Sequence, residues 1–507
     1  MKIARRLLSL LLALLMVFAL AACGGDGDPT DSGVQQPNPD NTQTQGGDNP
    51  SGGTDDSDDF VMPDRPTDET EGKTYIIIQH EEITDRFGYA QDSKMGLQIG
   101  DRIEEVQELY GCTIDFSQIA YGSGFVTQMQ ALQFAENEGD LVFAYKNAYL
   151  RQCLGTGGDE SLMQDLLAVD DIINFWDSEK WGTITARESM MAGGTFYGVS
   201  PALWVDCTPL PYYQVVYNKN LVESAGVTDP QEYWENEEWD RYAMLDVIKG
   251  TTDEANGIWG MTAGVEHMLR ATFLSTGIQL AQIDKINADS TVEWTNGLKT
   301  PEALEAIGWL QQTLKANAKC FNNGSFGHSW GWDTDIPFVE GQCAMIVTRP
   351  IDLFENVVVE SKDPFGLTCW AGVDANVLSG YYEQVYSIAI PVFAQNVKHS
   401  AFLMADLFEG LENVESYQDV IDYYGDTYFD SELDLEMLIR PDATLQYSYW
   451  PNDGIDTVWT TMRDQLMTLS ASSLIDRYAG IIDTAVETHI VPNKVALQAW
   501  ASEKNFD

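Results

Sequence analysis

The sequence predicts an α/β protein built from open sheets flanked by helices. Between residues 73 and 144, β-branched runs alternate with stretches in which apolar residues recur every three or four positions. This is the β-α-β-α-β order of a mainly parallel sheet. About 435 of the 507 residues follow the polar N-terminal part of the chain, which is more than one domain usually holds, so we expect two lobes.

The first elements follow from local patterns. Residues 73–79 (KTYIIIQ) predict a buried strand, because β-branched and aromatic residues run without interruption. A helix should come next, since Ile99, Ile103 and Val106 share one helical face and Gly111 ends the pattern. The next predicted elements are a strand at 112–116, a helix containing Phe125, Met129, Leu132 and Phe134, and a strand at 140–144.

Longer helices are predicted in the second half of the chain. Thr300 provides an N-cap, Pro301 fits the first helical position and Glu302 places an acid in the first turn. The apolar face of this helix comprises Leu304, Ile307, Leu310 and Leu314. Further helices are predicted at 402–411, 458–469 and 473–489, and Pro492 is expected to mark the end of the last one.

The N-terminus has the pattern of a secretory signal. Three basic residues precede an apolar run at 7–22, which is too short for a good transmembrane helix. Residues 20–23 (LAAC) resemble the lipobox of bacterial lipoproteins, in which the cysteine is lipidated and becomes the first residue of the mature chain. The resemblance implies a lipid anchor at Cys23 on the extracellular face of the cell membrane. An ordinary cleaved signal peptide at 1–22 is the alternative.

Residues 23–72 follow as the anchor cysteine and a predicted disordered linker. From residue 24 the segment carries 13 acids against one base, Arg65, and has too few apolar residues to offset the entropy of ordering. The linker's −12 and the signal's +3 leave −42 of the total charge of −51 on residues 73–507. So acidic a chain is a poor partner for nucleic acid or an anionic membrane surface.

The cysteines and known catalytic motifs give little information on chemistry. An even number of cysteines outside the cell allows disulfides, whereas apolar neighbours such as those of Cys343 also fit buried thiols. No zinc spacing, nucleophile elbow, metalloprotease motif or P-loop is present, so the sequence indicates no metal or cofactor. The cysteines after Cys23 are Cys112, Cys153, Cys207, Cys320, Cys343 and Cys369.

Five short motifs occur in an order that is typical of one family. They are 139–143 (GDLVF), 194–199 (GTFYGV), 217–226 (YNKNLVESAG), 338–345 (FVEGQCAM) and 385–391 (VYSIAIP). Together they resemble the extracellular solute-binding proteins of ABC importers, of the type that includes maltose- and oligosaccharide-binding proteins. The resemblance covers most of residues 73–410 and fades beyond 415. Ser200 is a departure, because the family usually has a proline there.

This resemblance implies two α/β lobes that close on a ligand by hinge motion. It also implies a small-molecule ligand, ABC permease subunits as partners, a monomer, and binding instead of catalysis. Crossings between the lobes should fall just before Val215 and near residues 381–384. The implied lobes are an N-lobe of residues 73–212 plus 384–412 and a C-lobe of residues 213–383 plus 413–507.

Sugar sites pair aromatic platforms with polar groups that bind hydroxyls. In the family the contacts come from loops at strand ends, and several of these loops are aromatic here. They supply the candidate ligand-binding residues Tyr145, Asn147, Trp204, Asp206, Tyr212, Tyr213, Trp330, Trp332, Asp333, Arg349, Trp370 and Tyr382. His80, Glu81 and Glu82, after the first strand, are further candidates, whereas Tyr217 and Asn218 are interpreted as structural.

Some of these candidates also fit a structural role. Trp204 follows a proline in an irregular loop, which favours ligand contact over core packing. Trp330 and Trp332 alternate around a glycine, so that one can face a cleft while the other packs. Trp370 lies in a β-like run and fits either role, and Arg349 fits an ion pair as well as a ligand contact.

Two other functions remain open from the sequence. A secreted carbohydrate hydrolase needs two carboxylates facing each other across a cleft, and with 79 acids such pairs are unavoidable. A surface lipoprotein that binds a solute without taking part in transport has the same sequence features. The ligand itself also stays open, because relatives bind polyols, peptides and other small solutes.

Overall fold

The structure is a computed structural model in which part of the chain is described. The predicted lipidation site Cys23, most of the predicted linker and most of the two predicted crossings lie outside the described residues. No helix in the described part has the length and apolar character needed to cross a membrane. The described residues are 60–120, 124–135, 139–145, 150–155, 157–182, 187–188, 190–204, 213–287, 289–322, 332–349, 353–373, 381–382, 386–429, 431–439, 446–447 and 455–503.

Strands and helices alternate along the chain, as an α/β fold requires. The strands are β1 (Thr74–His80), β2 (Thr113–Ile119), β3 (Leu141–Tyr145), β4 (Met191–Ala192), β5 (Thr195–Phe196), β6 (Gln214–Asn218), β7 (Ala281–Ile286), β8 (Val292–Asn296), β9 (Met345–Thr348), β10 (Phe365–Cys369), β11 (Tyr381–Tyr382), β12 (Tyr386–Ala389) and β13 (Gln446–Tyr447). The helices are α1 (Thr67–Thr70), α2 (Lys94–Tyr110), α3 (Gly124–Phe134), α4 (Ser178–Trp181), α5 (Lys219–Ala225), α6 (Pro230–Glu235), α7 (Arg241–Thr251), α8 (Val265–Leu274), α9 (Pro301–Ala316), α10 (Trp332–Val339), α11 (Val358–Glu360), α12 (Val397–Leu407), α13 (Tyr417–Tyr428), α14 (Glu432–Ile439), α15 (Ile455–Gln465), α16 (Ala471–Ala485) and α17 (Val491–Glu503). Two π-helical turns cover Leu353–Val357 and Val486–Ile490.

A four-stranded sheet in the order β12-β3-β1-β2 is the centre of what we call the first lobe. β1 pairs in parallel with β2 and β3, and β12 pairs antiparallel with β3. The predicted β-α-β-α-β unit is therefore confirmed. The carboxyl ends of β1 and β3 lie at the same edge as the beginning of β12.

The connecting helices of the first lobe pack as the sequence predicts. Ile99, Ile103 and Val106 on α2 are buried, and α2 ends at Gly111, whose φ of 59° is a left-handed conformation that suits glycine. Phe134, one of the apolar residues from which the helix α3 was predicted, is the last residue of that helix and is 86% exposed. Periodicity identified the helix but not its last inward-facing residue.

A three-stranded sheet in the order β10-β6-β9 is the centre of the second lobe. β6 is antiparallel to both neighbours, so its beginning lies beside the ends of β9 and β10. Helices α8, α9, α15 and α16 form one hydrophobic cluster with one face of this sheet, and α13 and α14 cover the other face. This places the region after about residue 415, which the sequence could assign only in general terms.

Residues 60–72 are folded, so the linker prediction is wrong for this part of the segment. The Arg65 guanidinium donates two hydrogen bonds to the Asp406 carboxylate, at 2.8 Å and 2.7 Å. Asp406 also accepts a hydrogen bond from the Tyr110 hydroxyl at 2.5 Å. The short helix α1 follows, and the Thr70 hydroxyl donates to the Tyr110 carbonyl oxygen. One well-placed ion pair orders a segment whose average composition favours disorder.

The last predicted helix end is also wrong. α16 begins after Ser470 and buries Leu474, Tyr478 and Ile482. Pro492, however, does not stop the helix. The chain passes through the π-turn Val486–Ile490 into α17, and Pro492 lies in the first turn of α17, where a proline is tolerated.

The described cysteines are free and buried. Burial raises the pKa of the Cys153 and Cys343 thiols to about 12, so both are protonated at neutral pH. Of the two alternatives that the sequence left open, the structure has the buried thiols at these positions. The free cysteines are Cys112, Cys153, Cys320, Cys343 and Cys369. Cys207 lies outside the described residues.

Candidate functional site

Three aromatic side chains meet at the strand-end edge of the first sheet. His80 is the last residue of β1, Tyr145 is the last of β3, and Tyr386 is the first of β12. Tyr145 and Tyr386 are direct cross-strand partners, and their rings stack with centroids 4.5 Å apart and planes at 16°. The His80 ring lies 5.0 Å from Tyr145 and 6.5 Å from Tyr386. The sheet register therefore builds one aromatic group from three separate parts of the chain.

The hydrophobic core of the first lobe supports this aromatic group. Phe143 stacks on Tyr386 at 5.0 Å and 14°, and Phe408 stacks below Phe143 at 6.2 Å. His80 is fully buried, and burial lowers its pKa to about 4, so the imidazole is neutral at pH 7. Tyr145 and Tyr386 are half-buried. The group is thus uncharged and fixed from below, while its two tyrosines keep some exposed surface.

Three predicted site residues meet at the corresponding edge of the second sheet. Tyr213 immediately precedes β6, Arg349 immediately follows β9, and Trp370 immediately follows β10. Because β6 is antiparallel to both neighbours, its first residue Gln214 pairs with Thr348 and with Cys369. Tyr213, Arg349 and Trp370 therefore lie side by side. Sequence reasoning selected all three, and the topology brings them together.

This second edge contains a buried polar cluster. The Tyr213 ring lies 5.6 Å from the ring of His267 on α8. Burial and the positive charges of Arg349 and Arg270 hold the pKa of His267 well below its usual value. The buried Glu266 carboxylate binds Arg270 at 2.5 Å and Arg463 at 3.2 Å, so this carboxylate is shared between two guanidinium groups. These ion pairs fix the part of α8 that presents His267.

Trp370 has an unusual polar environment. Its side chain is 3% exposed, and its indole N–H has no hydrogen-bond partner among the described residues. A buried N–H group without a partner costs free energy. A hydroxyl that reached this position would remove that cost.

Trp204, which the sequence favoured as a ligand contact, lies in the hydrophobic core of the first lobe. Its ring has no exposed surface and packs against Phe87 at 5.2 Å, Tyr89 at 6.2 Å and Phe408 at 4.6 Å. Its indole N–H donates to the Glu409 carbonyl oxygen at 3.3 Å. A ring that is covered in this way offers no face to a ligand in this conformation, so we leave Trp204 out of the site.

The remaining predicted positions are placed in part or not at all. Trp332 and Asp333 begin α10, and Tyr382 ends the short strand β11, which pairs with β13. Glu81 and Glu82 directly follow β1, at the edge described above. Four predicted site residues lie outside the described residues and stay predictions. These are Asn147, Asp206, Tyr212 and Trp330.

Sequence reasoning missed Tyr386 and His267 as site residues. Tyr386 belongs to the VYSIAIP motif, which served only for the family resemblance, and as the first residue of β12 it reaches this edge only because β12 is antiparallel to β3. His267 lies on α8, a helix that the sequence analysis did not single out. A signal was present, because a lone histidine and Arg270 share a helix with Glu266 in an otherwise apolar stretch.

The arrangement suits binding of a polar molecule with apolar faces. Tyr145 and Tyr386 keep part of their aromatic surface exposed, and Arg349 and Trp370 carry N–H donors. No group of three or more residues able to hold a metal ion occurs in the described part of the chain.

The fold of this chain matches those of several solved binding proteins. A cyclo/maltodextrin-binding protein complexed with maltotetraose matches 84% of this chain and 99% of its own, with a TM-score of 0.57 and 12% identity. The chain has the fold of the sugar-binding ABC solute-binding proteins. The predicted two-lobed α/β class is thereby confirmed. No protein-family model and no curated protein matches the sequence.

Two further solute-binding proteins support the same fold assignment. An ABC substrate-binding protein from Listeria monocytogenes, in complex with cycloalternan, covers 82% of this chain and 99% of its own, with a TM-score of 0.51 and 15% identity. The GacH receptor of Streptomyces glaucescens, studied with acarbose, matches 81% of this chain and 99% of its own, with a TM-score of 0.51 and 12% identity. At these identities the likeness establishes the fold, and the ligand has to be argued from the site.

Proposed function

We propose that this chain is the substrate-binding subunit of an ABC importer and that it captures an oligosaccharide between the two sheet edges. The lobes would close on the ligand by hinge motion and deliver it to permease subunits in the membrane. The single observation that carries the proposal is the position of the stacked Tyr145–Tyr386 pair at the strand-end edge of the first sheet. The structural neighbours, which are binding proteins and include sugar complexes, support it.

The chemistry of the two edges agrees with a sugar ligand. The apolar C–H face of a pyranose ring stacks on a tyrosine, and its hydroxyls accept hydrogen bonds from guanidinium and indole N–H groups. Tyr145 and Tyr386 would supply the platform on one lobe, and Arg349 and Trp370 the donors on the other. Tyr213 and His267 would line the same edge. The predicted residues outside the described part remain proposed members of this site.

Membrane attachment is a separate part of the proposal. Cys23 in the LAAC segment would carry the lipid, and the segment up to about residue 59 would tether the folded part to the cell surface. Replacing Cys23 with serine should release the protein from the membrane fraction. Unchanged retention of the Cys23→Ser protein would remove the anchor from the proposal and leave the binding site unaffected.

A thermal-shift screen tests the ligand class. Linear and cyclic oligosaccharides should raise the melting temperature of the wild-type protein, whereas peptides used as controls should not. Tyr145→Ala should weaken the affinity for the best sugar by roughly 1–3 kcal/mol, because a stacking face is lost. Tyr242→Ala is a matched control, since Tyr242 is 54% exposed on α7, and it should leave the affinity unchanged.

Two experiments distinguish binding for import from the two alternative functions. A hydrolase would release shorter sugars from the bound oligosaccharide, so an intact sugar after long incubation supports a binder. A surface lipoprotein without a transport role would leave uptake of the sugar unchanged when its gene is deleted. Loss of uptake supports the importer subunit.

A further inference from the structure

The last two long helices of the chain form one continuous helical run. α16 ends at Ala485, the π-turn Val486–Ile490 follows, and α17 begins at Val491. The backbone stays in the right-handed helical region at both junctions, with φ/ψ of −61°/−49° at Val486 and −56°/−47° at Val491. A π-turn is rare, lies mostly inside α-helices and is frequently found at functional sites.

The first part of this run is anchored to the second lobe. The Asn296 side-chain amide donates to the Ala479 carbonyl oxygen at 2.9 Å and to the Asp483 carboxylate at 2.8 Å. Lys299 pairs with the same carboxylate at 2.6 Å. The apolar face of α16 packs with α9 and α15 in the hydrophobic cluster of the second sheet. α16 therefore moves with the second lobe.

The second part of the run is anchored to the β4–β5 hairpin. Asn493 on α17 is 1% exposed, and its amide oxygen accepts from the Gly194 N–H while its amide nitrogen donates to the Met191 carbonyl oxygen, each at 3.0 Å. Lys494 pairs with the buried Glu188 at 2.5 Å. A Cβ added at Gly194 would lie 3.3 Å from the Ala496 side chain, which shows how closely α17 approaches the hairpin.

Aromatic packing and main-chain pairing place this hairpin in the first lobe. Trp500 on α17 lies 4.1 Å from Trp176 and 5.4 Å from Phe196, ring centroid to ring centroid. Three residues after β5, Val199 exchanges two backbone hydrogen bonds with Ile388 of β12, at 3.1 Å and 2.8 Å. The hairpin is therefore joined to the four-stranded sheet, and α17 is docked on the lobe opposite to the one that holds α16.

We propose that α17 is a structural part of the first lobe and that the π-turn Val486–Ile490 is a further hinge, at which the helical run bends when the lobes close. The proposal rests on the lobe closure assumed in the proposed function. It moves α17 from the lobe implied by the family resemblance, which assigned all of 413–507 to the C-lobe. A rigid helix fixed to both lobes would oppose their relative motion, so the run needs a point at which it can bend.

The sequence provides two reasons for the bend to occur there. A π-turn closes its hydrogen bonds over one residue more than an α-turn, and its geometry is less favourable. Pro492, the second residue of α17, has no N–H to donate, so one more hydrogen bond of the helical ladder is missing. Val486, His489 and Ile490 in the turn are buried, as are the inward faces of both helices, whereas Glu487 and Thr488 are exposed. Bending is therefore expected in the turn and not within α16 or α17.

Deletion of Thr488 is the direct test. Removing one residue should convert the π-turn into an α-turn while α16 and α17 keep the faces that they present to the two lobes. The control is Thr488→Ala, which keeps the chain length. Distance distributions between spin labels at Leu97→Cys on α2 and Leu304→Cys on α9, both exposed positions, report the lobe motion without a ligand. In this experiment Cys23 and Cys207 are replaced by serine.

The proposal predicts that the deletion narrows the distance distribution to about half its wild-type width, whereas Thr488→Ala leaves it unchanged. A deletion variant with the wild-type distribution would overturn the proposal. If the deletion variant does not fold, hydrogen exchange of the wild-type protein decides. Amides at 487–491 should exchange at least tenfold faster than those in the middle of α16 and α17, and equal rates would overturn it.

This test is independent of the ligand screen. Sugar binding together with an unchanged distance distribution in the deletion variant means that the proposed function holds and the hinge does not. A narrowed distribution in a protein that binds no sugar of the panel means that the hinge holds and the ligand class is wrong.

Discussion

Replacing Trp204 with alanine separates the sequence-based interpretation of this residue from its place in the structure. The sequence favours a ligand contact, and the structure places the ring in the core, against Phe87 and Phe408. The structure therefore predicts that Trp204→Ala lowers the free energy of unfolding. It also predicts that the affinity of the folded protein for an oligosaccharide changes less than threefold.

The expected loss of stability follows from burial. A tryptophan side chain buries up to about 250 Å², which at about 25 cal/mol per Å² gives an upper bound of about 6 kcal/mol. Replacing a buried tryptophan with alanine lowers the free energy of unfolding of a protein by about 3–5 kcal/mol in practice. The lost hydrogen bond to the Glu409 carbonyl oxygen contributes about 1 kcal/mol of this. We therefore expect a loss of about 4 kcal/mol for Trp204→Ala, and about 1–2 kcal/mol for Trp204→Phe, which keeps an aromatic ring.

Urea denaturation followed by circular dichroism measures the stability of both variants, and calorimetry with the best sugar of the screen measures their affinity. The two measurements distinguish the alternatives without ambiguity. A Trp204→Ala protein as stable as the wild type, with an affinity reduced tenfold or more, would refute the placement of the ring in the core. It would also restore Trp204 to the ligand-binding site.

Two further predictions concern the first lobe. Arg65→Met should lower the free energy of unfolding by about 1–2 kcal/mol, because the Asp406 carboxylate keeps its hydrogen bond from the Tyr110 hydroxyl but loses its cation. The loss is modest because the guanidinium is partly exposed. An unchanged urea midpoint would show that residues 60–72 are not docked. The neutral form of His80 is favoured by burial, with a pKa of about 4 against about 6.5 in the unfolded chain. The unfolded chain therefore takes up the proton first, and stability should fall as the pH drops from about 6.5 towards about 4. His80→Phe should remove this part of the pH dependence. The urea midpoints of the variant and the wild type are compared at about pH 5, relative to their difference at about pH 7.5. If that difference is the same at both pH values, the prediction is contradicted.

The parts of the fold that local patterns determine were predictable. The strand at β1, the buried face of α2 and the end of that helix at Gly111 all follow from residue periodicity and from the conformational freedom of glycine. The N-cap at Thr300 is also confirmed, since its hydroxyl accepts from the Ala303 N–H. These features depend on residues within a few positions of each other.

Features that depend on distant partners were not predictable. Residues 60–72 resemble a disordered linker until the ion pair between Arg65 and Asp406, which are 341 positions apart, is known. Pro492 was interpreted as a helix end because a proline removes a backbone hydrogen bond, whereas the next residue, Asn493, binds the β4–β5 hairpin and continues the helix α17. Both errors arise from tertiary contacts that outweigh a local preference.

The candidate site shows the same division. Tyr213, Arg349 and Trp370 were selected because each stands next to a strand, and the antiparallel pairing of β6 with β9 and β10 places them at one edge of the sheet. Trp204 was selected by the same reasoning, yet its ring packs in the core against Phe87 and Phe408. Tyr386 was missed, because only the antiparallel pairing of β12 brings the first residue of this strand to the edge.

Calorimetric titration of the wild-type protein with the oligosaccharides that pass the thermal-shift screen tests the central claim most directly. The account predicts that at least one sugar binds with a stoichiometry of one and that Tyr145→Ala weakens this binding by about fivefold or more, the lower bound of roughly 1 kcal/mol, while Tyr242→Ala leaves it unchanged. Binding of a peptide with no sugar binding, or a Tyr145→Ala protein that binds the sugar as tightly as the wild type, would contradict it.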